Sequence, residues 1–441
     1  MYKKSYIRCT KNTFFSCIVT FMNTYFPRPI ADSILQAKRK VVILEGARAV
    51  GKTMMSKKQL VPKGFSYVSL ADENTFALAS TDLYGWLKNI STPVVIDEAQ
   101  RLTDLPLAIK EIVDNSTKNG LQYILTGSAL INRNGLDGQD PLARRAQHFT
   151  MSPFTQSEIT QNSENIVDNL IESNPNLTYE KEISREEIYK MMAAGGFPEY
   201  QQLYDSYEAW EREKLVESDI LAVLGDTILP GEKLDRSMAV SILNKLLCTP
   251  GGILNTSSIG QDLALDRRTI ERYVSVFLRR FLINTLPNIK TAPNRQTFAR
   301  AKIHPIDTSL SVQTMISKGH DPLEDPVMYG NLLESFVVNQ IMPAVQWSKM
   351  HPDCFYWRET GSNPKEVDLV LSFRGNLVGV EVKSSSMVNR NDFKGLVALA
   401  QKPEFKSGYV VYLGQKIMQW SNNLYAIPLS ALWERSAFNG L

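Results

Sequence analysis

The chain has 441 residues and a mass of 49.7 kDa, which corresponds to about three domains of ordinary size. Hydrophobic residues make up 43% and charged residues 22%, as in ordinary globular proteins, so an intrinsically disordered chain is excluded. The net charge of +3 excludes a uniformly basic protein, although a local basic patch stays open. The four cysteines form no C-x-x-C pair, which argues against a disulfide framework or a structural zinc site.

No apolar run reaches the ~18–20 residues that a membrane-spanning helix needs. The sparse cysteines suit a reducing compartment, so we expect a cytoplasmic protein without a membrane partner. Residues 1–22 contain a short apolar stretch after Lys3 and Lys4, which faintly resembles a signal peptide. Charged residues interrupt this stretch and no small-x-small cleavage site follows. We therefore interpret residues 1–22 as an extension, with Met22 as the candidate native start.

Four short apolar runs in the first third of the chain predict strands, at residues 40–45, 65–70, 93–97 and 122–126. Helical patterns such as residues 105–114 lie between them. Strands that alternate with helices predict a parallel sheet. We therefore assign residues 23–165 to an α/β domain.

The rest of the chain divides into three further segments. The polar stretch 160–184 is expected to be a surface connection, and residues 166–235 to be a helical lid or connection. Residues 236–310 are predicted to form a winged helix. Residues 311–441 show a second α/β pattern, with a helix at 328–341 and strands at 355–357, 367–373, 377–382 and 408–413.

The first functional motif directly follows the first predicted strand. It reads Gly46-Ala47-Arg48-Ala49-Val50-Gly51-Lys52-Thr53 and fits G-x-x-x-x-G-K-[ST]. The glycines let backbone N–H groups wrap the phosphates of ATP, Lys52 reaches the β- and γ-phosphates, and the Thr53 hydroxyl binds Mg²⁺. The loop also opens a predicted helix, whose N-terminus adds positive partial charge. We therefore predict an ATP site with Mg²⁺.

The second motif is an apolar strand, residues 94–96, that ends in Asp97 and Glu98. Asp97 is expected to hold Mg²⁺ through water, and Glu98 to orient and deprotonate the attacking water. An Asp-Glu pair can also simply end a strand and cap a helix. The P-loop upstream favours the catalytic interpretation.

Further polar residues follow these two motifs. Thr126 and Ser128 end the next apolar strand, and either is a candidate sensor between the Asp97-Glu98 carboxylates and the γ-phosphate. An ordinary strand and turn is the alternative. Arg144 and Arg145 come soon after, as surface arginines or as ligands of the nucleotide in the same chain or across a subunit interface.

Residues 28 to about 157 resemble a prokaryotic ATPase family of the AAA+ superfamily, related to archaeal and origin-recognition-type ATPases. The family sequences G-P-R-Q-V-G-K-T, I-D-E-A-Q-R and L-T-G-S correspond to residues 46–53, 96–101 and 125–128. The family segment L-A-G-R corresponds to residues 142–145, with Arg144 in place of the glycine, and residues 195–199 match a further signature. The resemblance covers most of the chain. It implies ATP hydrolysis and a role for Arg145 at the nucleotide.

Residues 257–280 have helix–turn–helix character, in which Asp266 can cap the second helix. That helix has an apolar face made of Ile270, Tyr273, Val274, Phe277 and Phe281. Residues 267–302 contain nine Lys or Arg and one acid, a local net charge of +8. Such a cluster is typical of phosphate contacts, so DNA is the expected partner. The candidate DNA-binding residues are Arg267, Arg268, Arg272 and Arg279. A solvated basic face or a packing module between subunits is the alternative.

The C-terminal half contains a constellation of acidic residues. Glu334 lies in an apolar helix, Asp368 and Glu381 lie on adjacent predicted strands, and Lys383 shares the strand face of Glu381. This D…E-x-K pattern resembles the PD-(D/E)XK nuclease superfamily. The resemblance implies that the three carboxylates bind Mg²⁺ or Mn²⁺ and that Lys383 helps to activate water. Side chains facing solvent on an edge hairpin are the alternative. Lys302 and Arg358 match the family pattern, for phosphate binding or for structure.

Two functional classes follow from these motifs. The first is an ATPase that couples its nucleotide state to DNA binding and carries a metal-dependent nuclease domain. The second is a nucleotide-switched module that binds a protein partner and whose nuclease-like domain does not cleave. A P-loop kinase or transferase is a third class, against which Glu98 argues. A homo-oligomer is expected only by analogy with AAA+ proteins.

Overall fold

The computed structural model describes residues 25–128, 131, 140–225, 234–289, 301–359 and 364–439, so residues 1–22 lie outside it. The α-helices of the described residues are α1 (Ile30–Leu35), α2 (Lys52–Met55), α3 (Glu73–Thr81), α4 (Leu83–Asn89), α5 (Leu105–Asn115), α6 (Gln156–Ile159), α7 (Ile166–Glu172), α8 (Arg185–Ala194), α9 (Pro198–Leu203), α10 (Ala209–Gly225), α11 (Arg236–Leu247), α12 (Thr256–Leu263), α13 (Arg267–Arg279), α14 (Thr308–Ser317), α15 (Pro326–Ile341) and α16 (Lys394–Leu399). The strands are β1 (Val41–Glu45), β2 (Ser66–Ser69), β3 (Val94–Asp97), β4 (Tyr123–Gly127), β5 (Ala146–Thr150), β6 (Asn174–Pro175), β7 (Ile283–Leu286), β8 (Lys302–Pro305), β9 (Asp353–Arg358), β10 (Glu366–Phe373), β11 (Asn376–Lys383), β12 (Phe405–Tyr412), β13 (Met418–Ser421), β14 (Leu424–Pro428) and β15 (Phe438–Asn439).

The first five strands form a parallel sheet in the order β2-β3-β4-β1-β5. Successive side chains of a strand face opposite sides of the sheet. Val41 and Ile43 accordingly pack in one apolar cluster, whereas Val42 and Leu44 pack in another on the opposite face. Because both faces are covered, these strands are continuous apolar runs. The predicted α/β fold with a parallel sheet is confirmed.

The middle of the chain is helical and has its own apolar core. Helices α10 to α13 are followed by β7 and β8, which pair in antiparallel fashion. The Asp266 side chain accepts a hydrogen bond from the Thr269 backbone N–H at 3.0 Å and so caps α13. Four residues of the predicted apolar face of α13 are buried, which explains why this charged helix is stable here: Ile270, Tyr273, Val274 and Phe277. The prediction is wrong for Phe281, because it follows the end of the helix with a φ of 52° and packs in a different apolar cluster.

The C-terminal part contains a six-stranded mixed sheet in the order β13-β14-β12-β11-β10-β9. Strands β10 and β11 form a hairpin whose turn residues Arg374 and Gly375 both have positive φ, at 47° and 79°. This turn matches the right-handed twist of the flanking strands. Helix α15 packs on one face of the sheet and α16 on the other. The hairpin therefore places Asp368 and Glu381 on neighbouring strands.

Residues 160–184 differ from the predicted surface connection, because α7 lies among them and packs against the C-terminal core. The four apolar side chains of α7 are buried. The polar neighbours are used locally: the Asn165 side chain accepts a hydrogen bond from the Val167 N–H at 2.8 Å, and Asp168 accepts one from the Lys349 N–H at 3.1 Å. A polar composition thus supplies caps and contacts here instead of a solvated linker. Among all these described helices, none is long and apolar enough to cross a membrane.

Candidate nucleotide site and acidic cluster

The P-loop joins β1 to α2 and has the backbone geometry that its sequence predicts. Ala49 and Gly51 have positive φ values of 64° and 96°. Gly46 lies so close to the next strand segment that an added Cβ would be 2.2 Å from the carbonyl oxygen of Met151. Only glycine fits at this position, so the loop can lie against the sheet edge with its N–H groups available to phosphate.

The Lys52 side chain folds back over the P-loop. Its Nζ donates to the carbonyl oxygens of Gly46 and Ala47, each at 2.8 Å. Burial lowers the pKa of Lys52 to about 8, and the nearby carboxylates of Glu98 and Asp97 offset part of this effect. Lys52 is therefore a cation whose charge is not fully compensated, in the place where the motif requires one for a polyphosphate.

Asp97 is the meeting point of three hydroxyl groups at the end of β3. Its Oδ2 accepts hydrogen bonds from Thr53 Oγ1 at 2.6 Å and from the Tyr67 hydroxyl at 2.7 Å. Its Oδ1 accepts one from Thr126 Oγ1. The structure thus brings together the predicted Mg²⁺ residues Thr53 and Asp97 with the candidate sensor Thr126. A hydroxyl and a carboxylate at this separation fit a Mg²⁺ ion held together with nucleotide phosphates.

Glu98 begins a second polar chain beside Asp97. Its φ of 57° turns the backbone sharply at the end of β3. Gln100 Nε2 donates to Glu98 Oε2 at 2.5 Å and to Ser128 Oγ at 3.3 Å. Gln100 therefore connects the predicted catalytic base to the second candidate sensor. Thr126 therefore contacts the carboxylate pair directly, at Asp97, whereas Ser128 reaches Glu98 only through Gln100.

Arg145 is not brought to the P-loop of its own chain. It lies just before β5, at the amino end of the parallel sheet, whereas the P-loop lies at the carboxyl end. Its guanidinium forms a two-point ion pair with Asp114 of α5, at 2.6 and 2.7 Å. The prediction that Arg145 contacts the nucleotide of its own chain is therefore wrong, because the sheet separates Arg145 from the P-loop. Arg144 has a φ of 66°, a conformation that explains the glycine of the family pattern.

Two cavities of about 270 Å³ each flank the P-loop. The first is largely apolar, and its lining includes Tyr25, Phe26, Gly51, Met54 and Pro198. The second lies between the P-loop and the helical middle. Its lining includes the loop residues 47–49 together with Arg280, Phe281 and Leu282 at the end of α13. The nucleotide site is therefore open on one flank to an apolar pocket and on the other to the helical segment.

The basic residues of α13 separate into surface and interior groups. Arg268 and Arg272 are exposed, and Arg267 is exposed but paired with Glu271 at 2.7 Å. Arg279 is half-buried. The +8 segment of the sequence is less basic at the surface than its count indicates, because Arg280 and Lys302 are buried. Three further basic residues, at 290, 295 and 300, lie outside the described residues.

The acidic residues of the C-terminal half do come together, but around a lysine. Nζ of Lys302, which is 2% exposed, lies 2.8 Å from Glu334 Oε1, 2.7 Å from Glu366 Oε1 and 2.9 Å from Asp368 Oδ1. Glu381 pairs with Lys383 at 2.5 Å. We call these four carboxylates and two lysines the acidic cluster. Burial opposes the charge of Lys302, yet the carboxylates of Asp368, Glu334 and Glu366 hold its pKa well above the ordinary value.

The cluster does not fit a divalent cation in this arrangement. Lys302 occupies the space between Glu334 and Asp368, and the other oxygen of Asp368 accepts a hydrogen bond from the Val382 N–H at 2.9 Å. Glu381 Oε2 is the buried oxygen that no donor reaches. Across the ranges the structure describes, no three His, Cys, Asp or Glu side chains are arranged to hold a metal ion. The predicted site of Glu334, Asp368 and Glu381 is thus assembled, but with an ammonium group at its centre.

Several residues with a place in these sites carried no distinct signal in the sequence. Tyr67 lies in a short strand without a motif, and its role follows only from the pairing of β2 with β3. Gln100 belongs to the I-D-E-A-Q-R match, but nothing local predicts its contact with Ser128. The sequence predicts Lys302 only as part of the basic segment 267–302 and of the family pattern. Its partners lie 32 to 66 positions away, a separation that sequence periodicity cannot bridge.

Comparison with known families agrees with the nucleotide site. Residues 38–160 match the family described as AAA domain. With the P-loop, the Asp97-Glu98 pair and the parallel sheet, this segment is an AAA-like P-loop ATPase domain. Residues 185–319 and 329–432 match two families described as domains of unknown function, DUF8612 and DUF4143.

Similar proteins include the uncharacterised proteins Rv2008c of Mycobacterium tuberculosis and Mb2031c of Mycobacterium bovis. Each is 23% identical over 396 residues, covering 88% of this chain and 80% of the relative. Similar solved structures include a Walker-type ATPase of Pyrococcus abyssi (13% identity, TM-score 0.39, 66% of this chain and 96% of that one). Another similar solved structure is the RuvB Holliday junction branch migration motor of Thermotoga maritima (13% identity, TM-score 0.26, covering 66% of this chain and 92% of that one).

Proposed function

We propose that this protein is an ATP-binding, Mg²⁺-dependent ATP hydrolase that couples its nucleotide state to DNA binding through α13. The observation that carries the proposal is the convergence of Thr53, Asp97 and Glu98 beside a P-loop of the required backbone geometry. The apolar cavity beside Gly51 and Met54 has the size and lining for the adenine base.

The chemistry follows from the positions of these residues. Lys52 would leave its two carbonyl partners to contact the β- and γ-phosphates, and Thr53 and Asp97 would hold the metal. Bound Mg²⁺ neutralises charge on the phosphates. Glu98 accepts a proton from the attacking water. Thr126 keeps Asp97 oriented, and Ser128 acts on Glu98 through Gln100. Positioning and charge stabilisation supply most of the rate in such a site.

Coupling to DNA is supported by the packing of the α13 end against the P-loop. Phe281 belongs to the same apolar cluster as Ala47 and Val50 of the loop. A change in the loop upon ATP binding therefore has a direct path to α13, whose exposed face carries Arg268 and Arg272. The order of three helices and an antiparallel strand pair supports the winged-helix interpretation.

The ATPase proposal is tested by measuring ATP binding and turnover, with and without DNA. Lys52→Ala is expected to lose binding or turnover, whereas Glu98→Gln is expected to keep binding and lose turnover. Lys63→Ala, at an exposed position outside the loop, is the matched control. Full turnover in both site variants would contradict the proposal. For the DNA arm, Arg268→Ala/Arg272→Ala is expected to weaken binding and flatten its salt dependence.

The second candidate function is a nucleotide-switched module whose C-terminal domain binds a protein and does not cleave nucleic acid. The observation that favours it is Lys302 inside the acidic cluster. Cleavage of DNA or RNA with Mg²⁺ or Mn²⁺ that disappears in Glu381→Ala and Lys383→Ala would instead support the nuclease. Absence of cleavage on single- and double-stranded substrates would support the binding module.

A further inference from the structure

We propose that Lys302 is the resident cation of the acidic cluster and excludes divalent metal from it, so that an internal ion-pair network stands where a nuclease of this pattern holds its metal. The inference concerns the C-terminal half alone and does not depend on ATP hydrolysis. In this arrangement the residues that resemble a metal centre instead form ion pairs that connect the β7–β8 pair to the C-terminal sheet.

The geometry gives the Lys302 ammonium the contacts that a bound cation would have. It contacts three carboxylate oxygens within 2.9 Å, from two elements that are far apart in sequence, α15 and β10. An ammonium group has three donors, and each has one acceptor here. Because Lys302 is almost fully buried, its charge is tolerated only with such compensation.

Two further cations offset part of the remaining negative charge of the cluster without a metal. Lys383 pairs with Glu381, and Arg358 pairs with the second oxygen of Glu366 at 3.2 Å. Three cationic side chains therefore face four carboxylates. A divalent ion added to this arrangement would lie against the Lys302 ammonium in a buried space, and their repulsion opposes its entry.

Lys302 is fixed in the cluster by the backbone on both sides of its strand pair. Ile303, the next residue, accepts a hydrogen bond from Gly251 N–H at 2.8 Å and donates one to Gly252 at 2.9 Å. Beyond β7, the Ile289 N–H donates to Tyr356 O and the Tyr356 N–H donates to Pro287 O, each at 2.9 Å. These backbone hydrogen bonds hold the strand pair in place, so the Lys302 side chain extends into the cluster from a fixed backbone position.

The space beside Glu334 is also shaped for this arrangement. Gly251 has a φ of 72°, and a Cβ at this position would lie 3.1 Å from the Glu334 carboxyl carbon. The glycine lets the carboxylate lie against the helical middle, within reach of Lys302. The acidic cluster therefore joins two parts of the chain, with the lysine supplied by one and the carboxylates by the other.

The test is Mn²⁺ binding to the full chain without nucleotide, measured by electron paramagnetic resonance in the Asp97→Asn background, which weakens the P-loop site. The protein with Lys302 intact is expected to bind no Mn²⁺ at the cluster. Lys302→Met is expected to gain one site, with affinity at least about tenfold tighter than any residual binding. Lys416→Met, which breaks an exposed ion pair with Glu180, is the matched control and is expected to gain none.

If Lys302→Met does not fold, the charge-balanced variant Lys302→Met/Glu366→Gln is measured in its place, because it keeps Glu334, Asp368 and Glu381. A gained site in either variant supports the proposal. A folded variant of either kind that gains no Mn²⁺ site overturns it. Mn²⁺ bound by the protein with Lys302 intact, and lost in Glu381→Gln and Asp368→Asn, also overturns it.

Discussion

Thr53 Oγ1 donates a hydrogen bond to Asp97 Oδ2 at 2.6 Å, which joins the first residues of α2 to the end of β3. The two residues are 44 positions apart, and the parallel pairing of β1, β4 and β3 brings them together. Their contact unites the two motifs that the sequence shows separately. The contact also marks the place in this domain where Thr53 and Asp97 would hold a Mg²⁺ ion.

Replacement of Asp97 by Asn is expected to keep ATP binding and to reduce Mg²⁺-dependent turnover by about 10- to 100-fold, because an amide supports a metal ion less well than a carboxylate. Steady-state turnover against Mg²⁺ concentration measures this effect. Asp104→Asn, at an exposed position nearby, is the control. Unchanged Mg²⁺ dependence in Asp97→Asn would remove Asp97 from the metal site.

Tyr67→Phe is expected to tighten the apparent affinity for Mg²⁺ by about fivefold, the equivalent of one hydrogen bond of about 1 kcal/mol. The reason is that the Tyr67 hydroxyl occupies Asp97 Oδ2, which a hydrated metal ion also needs. Mg²⁺ titration of turnover measures the change. Tyr84→Phe, which removes an exposed hydrogen bond to Glu111, should leave the titration unaltered. A weaker Mg²⁺ affinity in Tyr67→Phe would mean that the hydroxyl orients Asp97 for the metal.

ATP binding is expected to take up protons at alkaline pH, because burial lowers the pKa of Lys52 to about 8 in the free protein. Phosphate contacts return the pKa to its ordinary range or above it, so the bound form stays protonated. At pH 8.5 the uptake is about 0.75 proton per ATP, and at pH 6.5 it is close to zero. Calorimetry in buffers of different ionisation enthalpy measures it. Lys52→Arg, whose charge does not titrate in this range, should abolish the pH dependence; equal uptake at both values would contradict the assignment.

Much of the fold could be predicted because local patterns determine it. The buried strands β1, β3 and β4 are continuous apolar runs, and their motifs end where the strands end. Strand β5 has no such pattern, since only Phe149 of its five side chains is buried. The sequence does not predict the burial of α7, because its caps and polar contacts give the stretch 160–184 the composition of a solvated connection.

The residues of the candidate sites also fall into those that local motifs predict and those that only the fold brings together. The P-loop and the Asp97-Glu98 pair could be predicted since each is contiguous in the chain. Tyr67 and Lys302 act through contacts that only the folded sheets create. Counting charge placed Lys302 in a surface basic patch, whereas it is buried among carboxylates. Net charge along a segment cannot distinguish a solvated lysine from one compensated in the interior.

Arg145→Ala is expected to lower stability only slightly, because solvent screens its exposed ion pair with Asp114. Asp114→Ala removes the same pair and should have the same effect. Chemical denaturation and ATP turnover, both measured over a range of protein concentrations, compare the two variants. A loss of turnover confined to Arg145→Ala and dependent on protein concentration would assign Arg145 to a neighbouring subunit's site. Equal behaviour of the two variants would leave Arg145 a structural partner of Asp114.

Phe281→Ala is expected to uncouple ATP from DNA, because Phe281 joins the end of α13 to the P-loop cluster. The variant should lose about 3–5 kcal/mol of stability as a buried Phe→Ala change does, so stability alone is not informative. Phe393→Ala, a fully buried phenylalanine beneath α16, is the stability-matched control. DNA affinity measured with and without ATP should differ in the control and not in Phe281→Ala. Persistence of the ATP effect in Phe281→Ala would show that coupling takes another path.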